Sequence, residues 1–169
     1  MDALVIGQGR IGTALLERLK ADGVSAVGTS LAVGPFTVAQ DTPAPITFFC
    51  AGVNGFKPCD EDPRTAAWIN VVRTLDLANE RARQGNVVFL SSSAAVNNRD
   101  RVYGALKLVT EQGFLNLGEK ACILRFGPII RNGGEYANGK FPPQPLDKVV
   151  GILAGLVKAW RPGLYEVLD

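Results

Sequence analysis

Three residue types that together can move a proton at a carbonyl fall within a short span of this chain. Ser91, Ser92 and Ser93 close an apolar run from Asn86 to Leu90, and Tyr103 and Lys107 follow, four positions apart. On a helix, positions i and i+4 stack on one face, so phenol and ammonium would stand side by side. A phenol in water ionises near ~10, and exchanging its proton at neutral pH takes about 3 units of stabilisation, roughly 4 kcal/mol. A neighbouring ammonium supplies part of that. A serine hydroxyl on the facing strand end then hydrogen-bonds a substrate carbonyl or hydroxyl while the tyrosine passes the proton. A polarised carbonyl with a proton donor is half of a hydride-transfer site, and the other half is a nicotinamide.

A place for that cofactor stands at the start of the chain. Ala3 to Ile6 is a continuous apolar run, too short for a helix and suited to a strand covered on both faces. It leads into Gly7-Gln8-Gly9-Arg10-Ile11-Gly12 and an apolar-periodic helix carrying Leu15, Leu16 and Leu19. A G-x-G-x-x-G in this context of strand, turn and helix start reads as a dinucleotide site: Gly7 permits the tight turn, Gly9 lets backbone approach a pyrophosphate, and Gly12 lets helix pack on strand. Val24 to Thr29 is the expected second strand. Its end offers Gly28-Thr29-Ser30-Leu31 and no carboxylate to hold an adenine ribose or repel a 2′-phosphate. NADP is therefore favoured over NAD, with Ser30 and Arg10 as candidate phosphate partners.

The remaining elements alternate. Phe36 to Ala39 follows the second strand too closely for a crossover helix, which predicts a short edge strand or none. Ile46 to Ala51 is a buried strand whose Ala51-Gly52 end would let a cofactor pass over it. Asp62 and Pro63 open a helix that presents Trp68, Ile69, Val72 and Leu75 to the sheet. Asn70 lies in it near the apolar side and reads equally as a satisfied polar residue or as a contact near the nicotinamide. Ala121 to Phe126 is a further strand, Gly133 to Pro145 a loop placed to serve as lid or substrate contact, Pro145 opens an amphipathic helix that carries Leu146 to Trp160, and Leu164 to Leu168 is a closing strand. The pattern predicts an α/β Rossmann-like, doubly wound, mostly parallel sheet, with residues 1–169 as one domain.

Composition excludes other classes. With 169 residues, 47% apolar and 20% charged, the chain can bury a full core. Its net charge of +2 comes without a basic run, which argues against nucleic-acid and membrane partners. No apolar stretch reaches the ~18 residues of a membrane span and no signal segment precedes the first strand, so the cytoplasm is the expected compartment. Histidine is absent, which removes His-dependent triads and most zinc sites, and no metal is expected. Cys50, Cys59 and Cys122 read as free thiols.

Taken together, these motifs resemble the short-chain dehydrogenases/reductases of the extended, nucleotide-sugar epimerase/dehydratase type, in a trimmed form. The resemblance runs nearly end to end. It rests on Gly7 to Gly12, Ala51-Gly52, Asp62-Pro63 through Ile69-Asn70-Val71, Ser91 to Val96, Tyr103 to Lys107, Leu124 to Pro128, and Pro145 to Val150. It implies an NAD(P)-dependent oxidoreductase, with hydride transfer at a carbonyl or secondary alcohol and nucleotide-sugar epimerases, dehydratases and reductases as the relatives. In the roles it implies, Ser93 polarises the substrate, with Ser92 as fallback. Tyr103 is the acid/base, and Lys107 holds the nicotinamide ribose and depresses the tyrosine pKa. Gly7 to Gly12, Gln8 included, surround the pyrophosphate, and Phe126, Gly127, Pro128 and Ile129 flank the nicotinamide. A homodimer through the helices at 63–84 and 102–118 is implied as well. Two features depart from the pattern: Ser93 and Tyr103 are only ten positions apart, and residues 127–169 leave a reduced substrate lobe. A non-catalytic dinucleotide-binding sensor or regulatory subunit is the alternative.

Overall fold

Short runs of apolar residues build one parallel sheet. The structure, a computed structural model, describes residues 1–29, 43–130 and 143–167. Its strands are β1 (Ala3–Ile6), β2 (Ala26–Thr29), β3 (Ile46–Phe49), β4 (Asn86–Ser92), β5 (Ala121–Phe126) and β8 (Gly163–Val167), ordered β2-β1-β3-β4-β5-β8 with every pairing parallel. A separate parallel pair, β6 (Ile129–Ile130) with β7 (Gln144–Pro145), follows β5.

Parallel strands must be covered on both faces, and alternation along each strand shows how. Ala3, Val5, Phe48, Val88 and Leu124 pack with α1 (Arg10–Ala21) and α7 (Leu146–Lys158). Leu4, Ile6, Phe49, Phe89 and Ile123 point the other way, against α4 (Thr74–Ala82) and α6 (Val102–Leu115). Phe114 closes that second layer, edge-on to Phe49 at 5.3 Å and stacked on Phe89 at 4.8 Å. This is the expected doubly wound fold, and β2 begins two residues later than expected.

The crossover from β3 to β4 departs from the expected single helix. A short helix, α2 (Phe56–Glu61), comes first, unannounced by the turn-like Gly55 and Pro58. Then α3 (Pro63–Ala67) starts where expected, with the Asp62 carboxylate accepting from the Thr65 N–H at 3.0 Å. Between α3 and α4 the backbone widens into a π-helical segment, Trp68–Arg73. The wider turn frees carbonyls: the Thr74 hydroxyl donates to Ile69 O at 2.9 Å, and the Thr110 hydroxyl, reaching over from α6, donates to Asn70 O at 2.9 Å. It also rotates the helix. Trp68 and Val72, expected to face the sheet, are 54% and 40% exposed, while Asn70 and Thr74 are buried. The helix expected to run to 118 ends at Leu115, followed by a 3-10 turn at Gly118–Lys120. Residues 36–39, expected as a short edge strand or none, lie outside the described residues, as does most of the loop expected at 133–145.

Candidate active site

The sheet order reverses between β1 and β3, because the chain runs from β1 out to β2 and returns on the other side of β1. Crevices at the carboxyl ends of strands beside such a reversal bind ligands in open α/β sheets. Here β1 ends in the glycine turn. Gly7 has φ 102°, and a Cβ added there would lie 2.4 Å from Ala51 N; at Gly12 it would lie 1.8 Å from Gly7 O. Both positions therefore require glycine for backbone contact. At Gly9 an added Cβ meets nothing within 4 Å, and no side chain caps α1. Open backbone at an uncapped helix N-terminus fits a pyrophosphate.

From this turn a cleft of about 680 Å³ crosses the strand ends to the start of α6. Gly9, Arg10 and Ile11 form one end, Cys50 and Ala51 the floor, and Gly127, Pro128 and Ile129 the far wall. The Arg10 guanidinium bridges turn and wall, donating to Ile129 O at 2.7 Å. Not every expected contact reaches the cleft. Gln8 turns its side chain towards Gly28 on β2, and Ser30 lies outside the described residues. Asn70 spends its side chain elsewhere: its Nδ2 donates to Val53 O and its Oδ1 accepts from Val53 N, both at 2.8 Å. It pins the loop that follows β3, directly behind Gly52.

At the other end Tyr103 and Lys107 share one face of α6, and both line the cleft with Ser91, Ser92 and Ser93. The serines do three different things. Ser91 turns towards α6, where its hydroxyl donates to Glu111 Oε1 at 2.5 Å. Ser92, the last strand residue, accepts from the Ala94 N–H at 3.2 Å, and its side chain is near enough to Tyr103 to favour the ionised phenol. Ser93 stands at the N-cap position of α5 (Ala94–Asn97) without a side-chain capping bond; its N–H donates to Phe126 O at 2.9 Å and its carbonyl accepts from Asn97 Nδ2 at 2.9 Å. Both candidate serines line the cleft with Tyr103, and Ser92, the fallback, is the one whose side chain acts on the phenol. The difference is one residue at the point where strand becomes helix.

Electrostatics distinguish the two groups on α6. Burial pushes the Tyr103 phenol above its usual value and the Ser92 hydrogen bond draws it back, so it stands as a protonated donor at neutral pH. Burial lowers Lys107 to about 8, against the pull of Glu111. The Lys107 ammonium donates to Leu90 O at 2.8 Å and lies 5.8 Å from the Tyr103 ring centre. Burial also raises Cys50, on the cleft floor, to about 12, which makes it a neutral thiol. Cys59 and Cys122 are buried and free.

Several residues at this end escaped the sequence reading. Phe56 of α2 packs edge-on against Tyr103 at 5.6 Å, with the Arg101 guanidinium 4.9 Å from the Phe56 ring centre and ion-paired to Asp60. Asn54, Asn97 and Asn98 also line the cleft. Glu111 had a legible signal, since it continues the spacing of Tyr103 and Lys107 by one more turn.

No family model matches the chain, and no curated protein matches it. Solved structures do. A dTDP-4-dehydrorhamnose reductase from Bacillus anthracis in complex with NADP superposes with a TM-score of 0.83 at 16% identity, over 99% of this chain and 75% of that one. An orthologue from Clostridium acetobutylicum gives 0.86 at 16% identity, over 99% and 74%. A UDP-glucose 4-epimerase from Thermotoga maritima with UDP-glucose gives 0.77 at 15% identity, over 99% and 76%. The chain shares their fold. About a quarter of each of these longer chains has no counterpart here.

Proposed function

We propose that the protein is an NAD(P)-dependent oxidoreductase of the short-chain dehydrogenase/reductase type, acting at a carbonyl or secondary alcohol of a small-molecule substrate. The observation that carries this reading is the convergence of Ser92, Tyr103 and Lys107 at one end of a cleft whose other end is an uncapped glycine turn. A bound nicotinamide dinucleotide supplies or accepts the hydride. The chain's own residues do the rest. Gly9, Arg10 and Ile11 hold the pyrophosphate, and Ala51, Gly127, Pro128 and Ile129 border its path. The Ser92 hydroxyl, with Ser93 next to it, steadies charge on the substrate oxygen. Tyr103 gives that oxygen its proton in reduction and takes it back in oxidation. Lys107 commits one proton to Leu90 O, leaving two donors for ribose hydroxyls and a positive charge beside the phenol.

The dinucleotide-bearing neighbours and the absence of a carboxylate at Gly28-Thr29 support NADP first and NAD second. Residues 1–169 act as one dinucleotide-binding unit in which 127–169 form a reduced substrate side. The neighbours' titles make sugar nucleotides the substrates to screen first. Exposed Trp68 and Val109, on the two helices implied in dimer contact, support a homodimer, which gel filtration tests directly. No described helix is long and apolar enough to cross a membrane, and we place the protein in the cytoplasm.

Calorimetric titration with NADPH and NADH, followed by a carbonyl screen of wild type against Tyr103→Phe, tests the reading. Binding with turnover that Tyr103→Phe abolishes supports it. Binding without turnover on any sugar nucleotide or simple carbonyl assigns the fold to a dinucleotide sensor instead.

A further inference from the structure

Helix α6 carries a third polar residue on the face of Tyr103 and Lys107. Glu111 is fully buried, and its carboxylate hydrogen-bonds residues of the sheet. Its Oε1 accepts from the Ser91 hydroxyl at 2.5 Å and from Arg125 Nε at 2.9 Å, and its Oε2 accepts from Arg125 Nη2 at 2.6 Å. Arg125 passes its remaining arm to Glu166 at 3.0 Å. Ser91, Arg125 and Glu166 are register partners across β4, β5 and β8, so the helix carboxylate is bolted to a single row of the sheet. The next row begins with Ser92, and the row before it holds Leu90, whose carbonyl takes the Lys107 proton.

Anchoring a helix does not need a charge. A buried ion pair costs several kcal/mol of desolvation, and apolar side chains of the same volume hold elements together at least as well. The carboxylate does something a leucine would not: it stands one turn from the Lys107 ammonium. The other ionisable groups facing Lys107 are Tyr103 on its own helix, Cys50 at the end of β3 and Cys59 of α2, all neutral as protonated phenol and thiols. Glu111 is thus the negative charge nearest to hand, and Arg125 fixes where it sits.

We propose that the Glu111–Arg125 pair is the positioning device of this site. It sets how far α6 stands along β4, and so where Tyr103 meets Ser92, and it supplies the counter-charge of the Lys107 ammonium. The inference deepens the oxidoreductase reading and rests on it for its purpose, yet its test does not use turnover.

The test is the pH dependence of Lys107 acetylation by acetic anhydride in the cofactor-free protein, followed on the Lys107 peptide by mass spectrometry. The expected wild-type midpoint is near pH 8. Glu111→Gln keeps the shape and removes the charge, and moves the midpoint down by about one pH unit, roughly a fivefold gain in free amine at pH 7. Glu111→Asp keeps the charge and returns most of the shift. Should Glu111→Gln not fold, Glu166→Gln serves, because Glu166 is an exposed strand residue; it removes one of the two carboxylates paired with Arg125, which leaves a larger share of Glu111 to Arg125 and moves the Lys107 midpoint down by a smaller step. A Lys107 midpoint unchanged in the folded Glu111→Gln protein, or in Glu166→Gln when only that variant folds, overturns the proposal. Failure of the oxidoreductase reading instead shows as absent turnover with these shifts intact.

Discussion

The Lys107 ammonium donates a 2.8 Å hydrogen bond to the carbonyl of Leu90, so this buried lysine of the cleft is tied to the strand that carries the serines. An ammonium held there sits between β4 and Tyr103 and shares both the strand's position and the phenol's surroundings. The costs and uses of that placement give measurable consequences.

Burial brings Lys107 from 10.5 down to about 8, a shift of about 3 kcal/mol against the folded state while both states are protonated. The unfolded chain holds the proton longer as pH rises, so this penalty is full below pH 8 and shrinks between 8 and 10.5. Lys107→Met removes it. Urea unfolding is expected to show the variant more stable than wild type at pH 7, with the gap narrowing by more than half at pH 9.5. A gap that is constant with pH contradicts the lowered value.

Asn70 closes two hydrogen bonds on one residue of the loop behind Gly52. Asn70→Ala leaves the Val53 N–H and C=O without these partners, at a cost of about 2–3 kcal/mol. A chemical-denaturation midpoint within error of wild type would refute this account of the residue.

Gly12 admits no side chain, because an added Cβ would fall 1.8 Å from Gly7 O. Gly12→Ala is expected to destabilise by about 2 kcal/mol or more and to abolish dinucleotide binding, since the clash displaces the turn itself. Thermal unfolding and calorimetry on the same sample check both parts. A Gly9→Ala control, where space is open, is expected to fold normally and lose affinity alone.

Much of this was legible beforehand, for reasons visible at particular residues. Continuous apolar runs such as Ala3–Ile6 and Ala121–Phe126 suit only strands covered on both faces, and the glycine turn has its meaning fixed by the strand before it and the helix after it. Trp68 and Val72 were placed inward because a 3.6-residue period was assumed, and the π segment breaks that period. Ser92 and Ser93 are hard to tell apart in sequence because β4 ends between them, Ser92 being its last residue and Ser93 the residue before the next helix. Asn70 could not be decided from sequence because both of its readings require the same buried carboxamide. Phe56 was missed with its helix, which Gly55 and Pro58 disguised as a turn.

The central claim is that a nicotinamide dinucleotide lies along the cleft with its reactive end at Tyr103. A crystal structure of the protein with NADP measures this directly. The account predicts pyrophosphate at the Gly9 to Gly12 backbone, ribose hydroxyls on Lys107, and the nicotinamide between the Tyr103 hydroxyl and Pro128. A dinucleotide bound elsewhere, or one whose nicotinamide points away from Tyr103 and Ser92, would contradict it.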